Sequence, residues 1–195
     1  MKLSVIGCGY LGAVHAASMA SLGHHVVGID TDAAKIDKLA AGKAPFFEPG
    51  LDDLLAAGLA SGRLTFSTDL HSVKGATVHF IGVGTPQLPD SDGADMQYVD
   101  AAVGALVPHL SSGDVVVGKS TVPVGTARRL ADVISDAGAH LVWNPEFLRE
   151  GFAIQDTLEP DRLVYGVSAV SGEHGMTVLD EVYANCLATG TPRLV

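Results

Sequence analysis

The chain has 195 residues, 47% hydrophobic and 17% charged, with a formal net charge of −10. That is enough apolar material to fill a core, which excludes a disordered chain, and a surface this acidic repels phosphate backbones, which argues against a nucleic-acid partner. Two cysteines outside any CxxC pair exclude a disulfide framework, and the eight histidines lack metal-ligand spacing, so no metal site is expected.

No apolar run reaches the length of a bilayer crossing, so no membrane partner is expected. Residues 2–6 form a short apolar run that meets glycines at once, which reads as a first strand and not as a secretory signal. A cytoplasmic location follows. Gly7-Cys8-Gly9-Tyr10-Leu11-Gly12 comes next and opens a helix over 11–22. A GxGxxG pattern is weak alone, but between a strand and a helix it reads as a dinucleotide turn. Gly7 permits the tight turn, Gly9 lets a diphosphate approach the backbone, and Gly12 lets the helix pack closely on the strand. The helix N-terminus adds free N–H groups and a partial positive charge, which can hold phosphate on an acidic protein.

The second strand, 25–30, ends in Asp30, placed to accept hydrogen bonds from an adenosine ribose and to repel a 2′-phosphate. NAD is therefore the expected cofactor. Lys35 lies one turn into the next helix, 33–41, where it either reaches the same ribose or belongs to a solvated face. A Pro- and Phe-containing loop, 44–50, precedes a helix at 51–60 and a strand at 64–67. The strand at 78–83 runs into Gly82-Val83-Gly84-Thr85-Pro86 and a surface loop, 85–95, rich in Pro, Asp and Gly. A helix at 98–110 and a strand at 114–118 lead to Lys119-Ser120-Thr121-Val122-Pro123-Val124-Gly125-Thr126, and a helix at 126–137 leads to a strand at 140–143. Asn144-Pro145-Glu146-Phe147-Leu148-Arg149-Glu150-Gly151 follows, then a strand at 162–166, a helix at 172–187 and one more short strand.

Mostly apolar strands alternating with helices predict an α/β, doubly wound, mostly parallel sheet of Rossmann-like type with helices on both faces. In such a sheet, ligands gather at the carboxyl ends of the strands, where the loops carrying Thr85, Thr121, Glu146 and Glu150 all lie. Each has a plainer reading. Thr85 can bond to its own turn, Thr121 can cap ahead of a Pro turn, Arg149 can pair with a nearby acid, and Glu146 and Glu150 would share a face if helical.

Taken together, these stretches, with Phe47-Glu48-Pro49-Gly50-Leu51 and Pro160-Asp161-Arg162-Leu163-Val164-Tyr165-Gly166, resemble the N-terminal NAD-binding domain of the UDP-glucose/GDP-mannose dehydrogenase family. The bacterial UDP-glucose-oxidising branch is the nearest. The resemblance implies that a sugar C6 alcohol is oxidised twice, passing hydride to NAD each time, through a cysteine-bound thioester that water releases as UDP-glucuronate. It implies cofactor contacts from Leu11, Asp30, Lys35, Thr85, Thr121 and Glu150, beside Gly7, Gly9, Tyr10 and Gly12 of the turn. It further implies catalytic roles for Thr121 and Glu146, and a nucleotide-sugar site lined by Glu146, Phe147, Leu148, Arg149 and Glu150. The family's nucleophilic cysteine and substrate lysine have no counterpart here, and Cys8 and Cys186 read as small core residues. Residues 1–195 are thus expected to be the NAD-binding domain of a longer homodimer, lacking its central helix and nucleotide-sugar domain, and inactive alone. Oxidation of GDP-mannose or UDP-N-acetylmannosamine is the alternative within the class; a non-catalytic NAD-sensing module is the alternative outside it.

Overall fold

The computed structural model describes residues 1–168 and 172–195. Its elements run β1 (Lys2–Ile6), α1 (Tyr10–Ser21), β2 (His25–Ile29), α2 (Ala33–Ala40), α3 (Leu51–Ala60), β3 (Leu64–Ser67), β4 (Val78–Ile81), α4 (Gln97–Leu106), β5 (Val115–Gly118), α5 (Thr126–Asp136), β6 (His140–Trp143), α6 (Ala153–Leu158), β7 (Leu163–Val164), β8 (Gly166–Val167), α7 (Gly172–Val182), α8 (Ala184–Ala188) and β9 (Arg193–Leu194). The main sheet has the order β3-β2-β1-β4-β5-β6-β8, parallel except where β8 runs against β6. The strand order reverses between β1 and β4, which opens a crevice at their carboxyl ends. The doubly wound α/β architecture expected from the alternating pattern is the one observed.

The central strands β1, β2, β4 and β5 are buried on both faces, and their residues alternate between two apolar layers. Leu3, Val5, Phe80, Val115 and Val117 join α1, α3 and α7 in one layer. Ile6, Ile81 and Val116 join α4 and α5 in the other. Sequences without polar alternation result directly from that double covering. One polar set interrupts it: the Ser4 hydroxyl lies 2.8 Å from His79 Nδ1, and His79 Nε2 lies 3.4 Å from Asp114. All three are buried, and each finds its partner within the sheet.

Four elements depart from the sequence expectation. The helix expected over 98–110 ends at Leu106 and tightens into a 3₁₀ turn, Val107–His109, where Pro108 cannot donate. The single strand expected over 162–166 is two. β7 pairs with β9 and β8 pairs with β6, with the buried Tyr165 between them. The helix expected over 172–187 breaks at Tyr183. Helix α6 was not expected at all; the carboxylate of Glu48, far away in sequence, accepts from its first amides at Ala153 (2.9 Å) and Ile154 (3.4 Å).

Gly118 shows how closely β5 and β6 fit. A Cβ there would lie 2.4 Å from the ring of Trp143, whose indole N–H donates to the Ser120 carbonyl at 3.1 Å. A rigid indole cannot give way, so Gly118→Ala is expected to destabilise the fold by about 1–3 kcal/mol. Urea unfolding followed by Trp143 fluorescence checks this; an unchanged midpoint would contradict it.

Candidate functional site

The first turn is built as its glycines suggest. Gly7 has φ +93°, and a Cβ on it would stand 2.6 Å from Val83 Cγ1. A Cβ on Gly12 would stand 1.8 Å from the Gly7 carbonyl oxygen, so α1 meets β1 backbone to backbone. Gly9 caps α1, and a Cβ there would meet nothing within 4 Å. That open side of the turn faces a cleft of about 700 Å³ lined by Gly7, Gly9, Asp30, Lys35, Gly84 and Tyr98, among others.

Asp30 sits at the end of β2 beside this turn. Its Oδ2 accepts from the Cys8 amide at 2.8 Å and from Lys35 Nζ at 2.8 Å, and its Oδ1 accepts from the Asp32 amide at 3.0 Å. Burial pushes the carboxyl up, but the Lys35 ammonium and the two amides outweigh it and hold the group below its ordinary value. Lys35 therefore belongs to the Asp30 site and not to a solvated face. A diphosphate fits the open, amide-lined turn, and a ribose fits the fixed carboxylate beside it. Apolar Leu70, Ala101 and Ala105 line the same cleft and suit a base.

At the carboxyl end of β4 and β5, two loops are tied together. The Thr85 hydroxyl donates to the Thr121 carbonyl at 2.8 Å, and the Ser120 hydroxyl donates to the Val83 carbonyl at 2.6 Å. Thr85 thus reaches across to the neighbouring loop instead of bonding to its own turn. Leu11 is half-buried in the first turn of α1.

A second cleft, of about 220 Å³, lies beyond β6 and includes Lys119, Asn144, Glu146, Phe147, Arg149 and Tyr183 in its lining. Residues 144–149 form no helix, so Glu146 and Glu150 do not share a helical face. Glu146 is held from two sides: Lys119 Nζ lies 2.9 Å from its Oε2, and the Phe147 amide donates to its Oε1 at 2.9 Å. Lys119 also donates to Asn144 Oδ1 at 3.1 Å, and that oxygen accepts from the buried Tyr183 hydroxyl at 2.8 Å. Asn144 Nδ2 donates to the Val164 carbonyl at 3.0 Å. Arg149 forms a forked pair with Asp156 of α6 at 2.6 and 3.0 Å. Leu148 packs on the core, and Glu150 is exposed.

Lys119 and Asn144 had been read only as members of motifs. Their signal was a lysine ending an otherwise apolar strand, which is buried here at 6% exposure and demands a partner. Glu48 likewise had no assigned role. It is buried, and it accepts from the Tyr10 hydroxyl and from the Gly151 amide (2.9 Å) as well as from α6. Burial first, and then donation to Glu48, hold the Tyr10 phenol above its ordinary value. Both cysteines are buried; Cys8 Sγ lies 3.5 Å from the Ile29 carbonyl, Cys186 Sγ lies 3.3 Å from the Leu158 carbonyl, and burial pushes both thiols up. Among the described residues there is no cluster suited to a metal ion and no helix long and apolar enough to cross a membrane.

Comparison with known proteins agrees with this geometry. A family model described as "UDP-glucose/GDP-mannose dehydrogenase family, NAD binding domain" matches residues 1–187. UDP-glucose 6-dehydrogenase of Rhizobium meliloti is 46% identical over 188 residues, covering 94% of this chain and 43% of that protein. The structure of a UDP-glucose dehydrogenase from Pyrobaculum islandicum superposes with a TM-score of 0.90 at 40% identity, covering 100% of this chain and 45% of that one. GDP-mannose dehydrogenase from Pseudomonas aeruginosa gives a TM-score of 0.88 at 33% identity, covering 100% of this chain and 46% of that one. The chain thus spans less than half the length of these relatives.

Because the Asp30 carboxyl is held low in the folded state, its ionised form stabilises the fold above the ordinary carboxylate range. That contribution is lost as pH falls through the lowered value. Asp30→Asn is therefore expected to be less stable than the parent at neutral pH, with the gap closing below about pH 4. Denaturant unfolding across pH checks this; a gap that stays constant into acid would contradict it.

Proposed function

The chain belongs to the UDP-glucose/GDP-mannose dehydrogenase family and is its NAD-binding domain, and from that premise we propose that the protein carrying it oxidises the C6 hydroxyl of UDP-glucose to a carboxylate. The observation that carries the reading is the Asp30 carboxylate, fixed by Lys35 and the Cys8 amide beside an open glycine turn. UDP-glucose is preferred over GDP-mannose because the relative named for it is 46% identical, against 33% for the GDP-mannose enzyme.

Gly7, Gly9 and Gly12 shape the diphosphate turn, with Tyr10 and Leu11 at the helix start, and Asp30 and Lys35 hold the ribose. Thr85, Thr121 and Glu150 stand toward the nicotinamide end. NAD supplies a hydride acceptor when bound. Glu146 and Thr121 orient water and move protons at the carbon being oxidised, Lys119 holds the Glu146 carboxylate in place, and Phe147, Leu148, Arg149 and Glu150 shape the sugar side. Neither Cys8 nor Cys186 offers an accessible thiolate, so covalent capture of an aldehyde is assigned to residues outside 1–195. Residues 1–195 form the NAD-binding domain, the nucleotide-sugar domain and a central dimerising helix complete the protein, and this chain alone binds NAD without turnover.

Isothermal titration calorimetry measures dinucleotide binding to this chain directly. Titration is expected to show saturable NAD binding, weaker NADP binding, and a loss of roughly tenfold or more in Asp30→Ala, since a hydrogen bond to a charged group contributes about 1.5–3 kcal/mol. No saturable binding, or unchanged affinity in Asp30→Ala, would remove the reading. In the whole protein, Glu146→Gln is expected to lower kcat for UDP-glucose by about 10²–10⁴-fold with little change in NAD affinity. A kcat close to that of the parent would take the proton role from Glu146.

A further inference from the structure

Glu48 is a charged residue in an apolar setting, 6% exposed, and its carboxylate is fully engaged. The Oε2 atom accepts from the Tyr10 hydroxyl and from the Gly151 amide at 2.9 Å. Oε1 accepts from the Ala153 amide at 2.9 Å and the Ile154 amide at 3.4 Å. The Gly151 amide is shared with the Tyr10 oxygen, 3.1 Å away. These donors come from two places: Tyr10 belongs to the glycine turn that opens α1, whereas Gly151, Ala153 and Ile154 follow directly on the 144–150 loop.

A helix cap needs only the second set. An Asp or Ser beside α6 in sequence would supply it; Glu48 instead reaches more than a hundred residues along the chain and brings a phenol from the turn with it. Its side chain stands on the Phe46–Gly50 loop, where Leu51 begins α3 and packs into the same core as α1 and Ala153. The carboxylate is therefore anchored on a third element while joining the other two. A buried carboxylate with all its acceptor sites used has one low-energy position, so a displacement of Tyr10 is passed on to the Gly151 amide.

We propose that Glu48 is a positioning residue that couples the diphosphate turn to the sugar-side loop, so that filling the turn at Tyr10 orders residues 146–151. The inference rests on the NAD-binding reading above. Coupling between two sites is reciprocal, so a nucleotide sugar that orders the loop tightens NAD by the same factor.

Hydrogen exchange of the Gly151, Ala153 and Ile154 amides, measured on this chain with and without saturating NAD, tests the proposal. NAD is expected to slow these amides by at least about fivefold in the parent. Tyr10→Phe keeps the cap on α6 and removes only the phenolic link. It is expected to leave exchange of the Ala153 and Ile154 amides without NAD unchanged, to speed that of Gly151, which loses one of its two acceptors, and to abolish the NAD-dependent slowing at Ala153 and Ile154. If Tyr10→Phe retains it, or if the parent shows none with NAD bound, Glu48 is a helix cap only and the proposal is overturned. If calorimetry shows that NAD does not bind the parent at all, the cofactor reading itself has failed and the coupling falls with it.

Discussion

The contact between Gly12 and the carbonyl of Gly7 sets the geometry of everything at the carboxyl edge of the sheet. Because Gly12 of α1 packs directly on the Gly7 carbonyl just past β1, the helix N-terminus is aimed back across the end of the strand. That placement puts the Cys8 amide on Asp30 and the Tyr10 hydroxyl on Glu48. A larger residue at position 12 would push the helix out and separate both pairs at once. The mostly buried, alanine-rich face of α1 serves the same end, since small side chains let it approach the sheet over its whole length.

Three carboxylates are drawn out of water around this edge, and each is handled differently. Asp30 keeps one ammonium and two amides and still faces the cleft, so its charge is available to a ligand. Glu48 has its oxygens engaged by one phenol and three amides and is almost out of solvent, which suits the positioning role proposed for it. Glu146 lies between, locked by Lys119 on one oxygen and by its neighbour's amide on the other, at the wall of the second cleft. Burying a charge is costly unless it is paired, and breaking any of these pairs would leave an uncompensated charge. These three stand at the edge where the proposed chemistry takes place, apart from the buried Ser4–His79–Asp114 set.

Much of the cofactor site was legible because its parts are close in sequence. The turn, its helix and the acid at the end of the next strand all lie within the first thirty residues, and each glycine has a local steric reason to be there. The sugar-side loop was legible as a place but not as a geometry. Residues 144–150 read equally well as a helix start, and Lys119 and Glu146 meet only because β5 and β6 are neighbours in the sheet. Glu48 was illegible as a functional residue because its partners lie 38 and 103 residues away. Helix α6 was missed for the same reason: its cap comes from that distant carboxylate.

By itself, then, the amino-acid order determined the alternation of strands and helices, the two-sided burial of the central strands, and the dinucleotide turn with an acid at the end of the next strand. All of these follow from local sterics and from periodicity, which act within a few residues. Tertiary structure alone decided the pairing of Lys119 with Glu146, the splitting of residues 162–166 between two sheets, and the link from Tyr10 through Glu48 to Gly151. Those depend on which strands become neighbours and on where a buried charge finds its partners. That is settled by the packing of the whole chain, because only the folded core makes an unpaired polar group expensive enough to choose one partner over another.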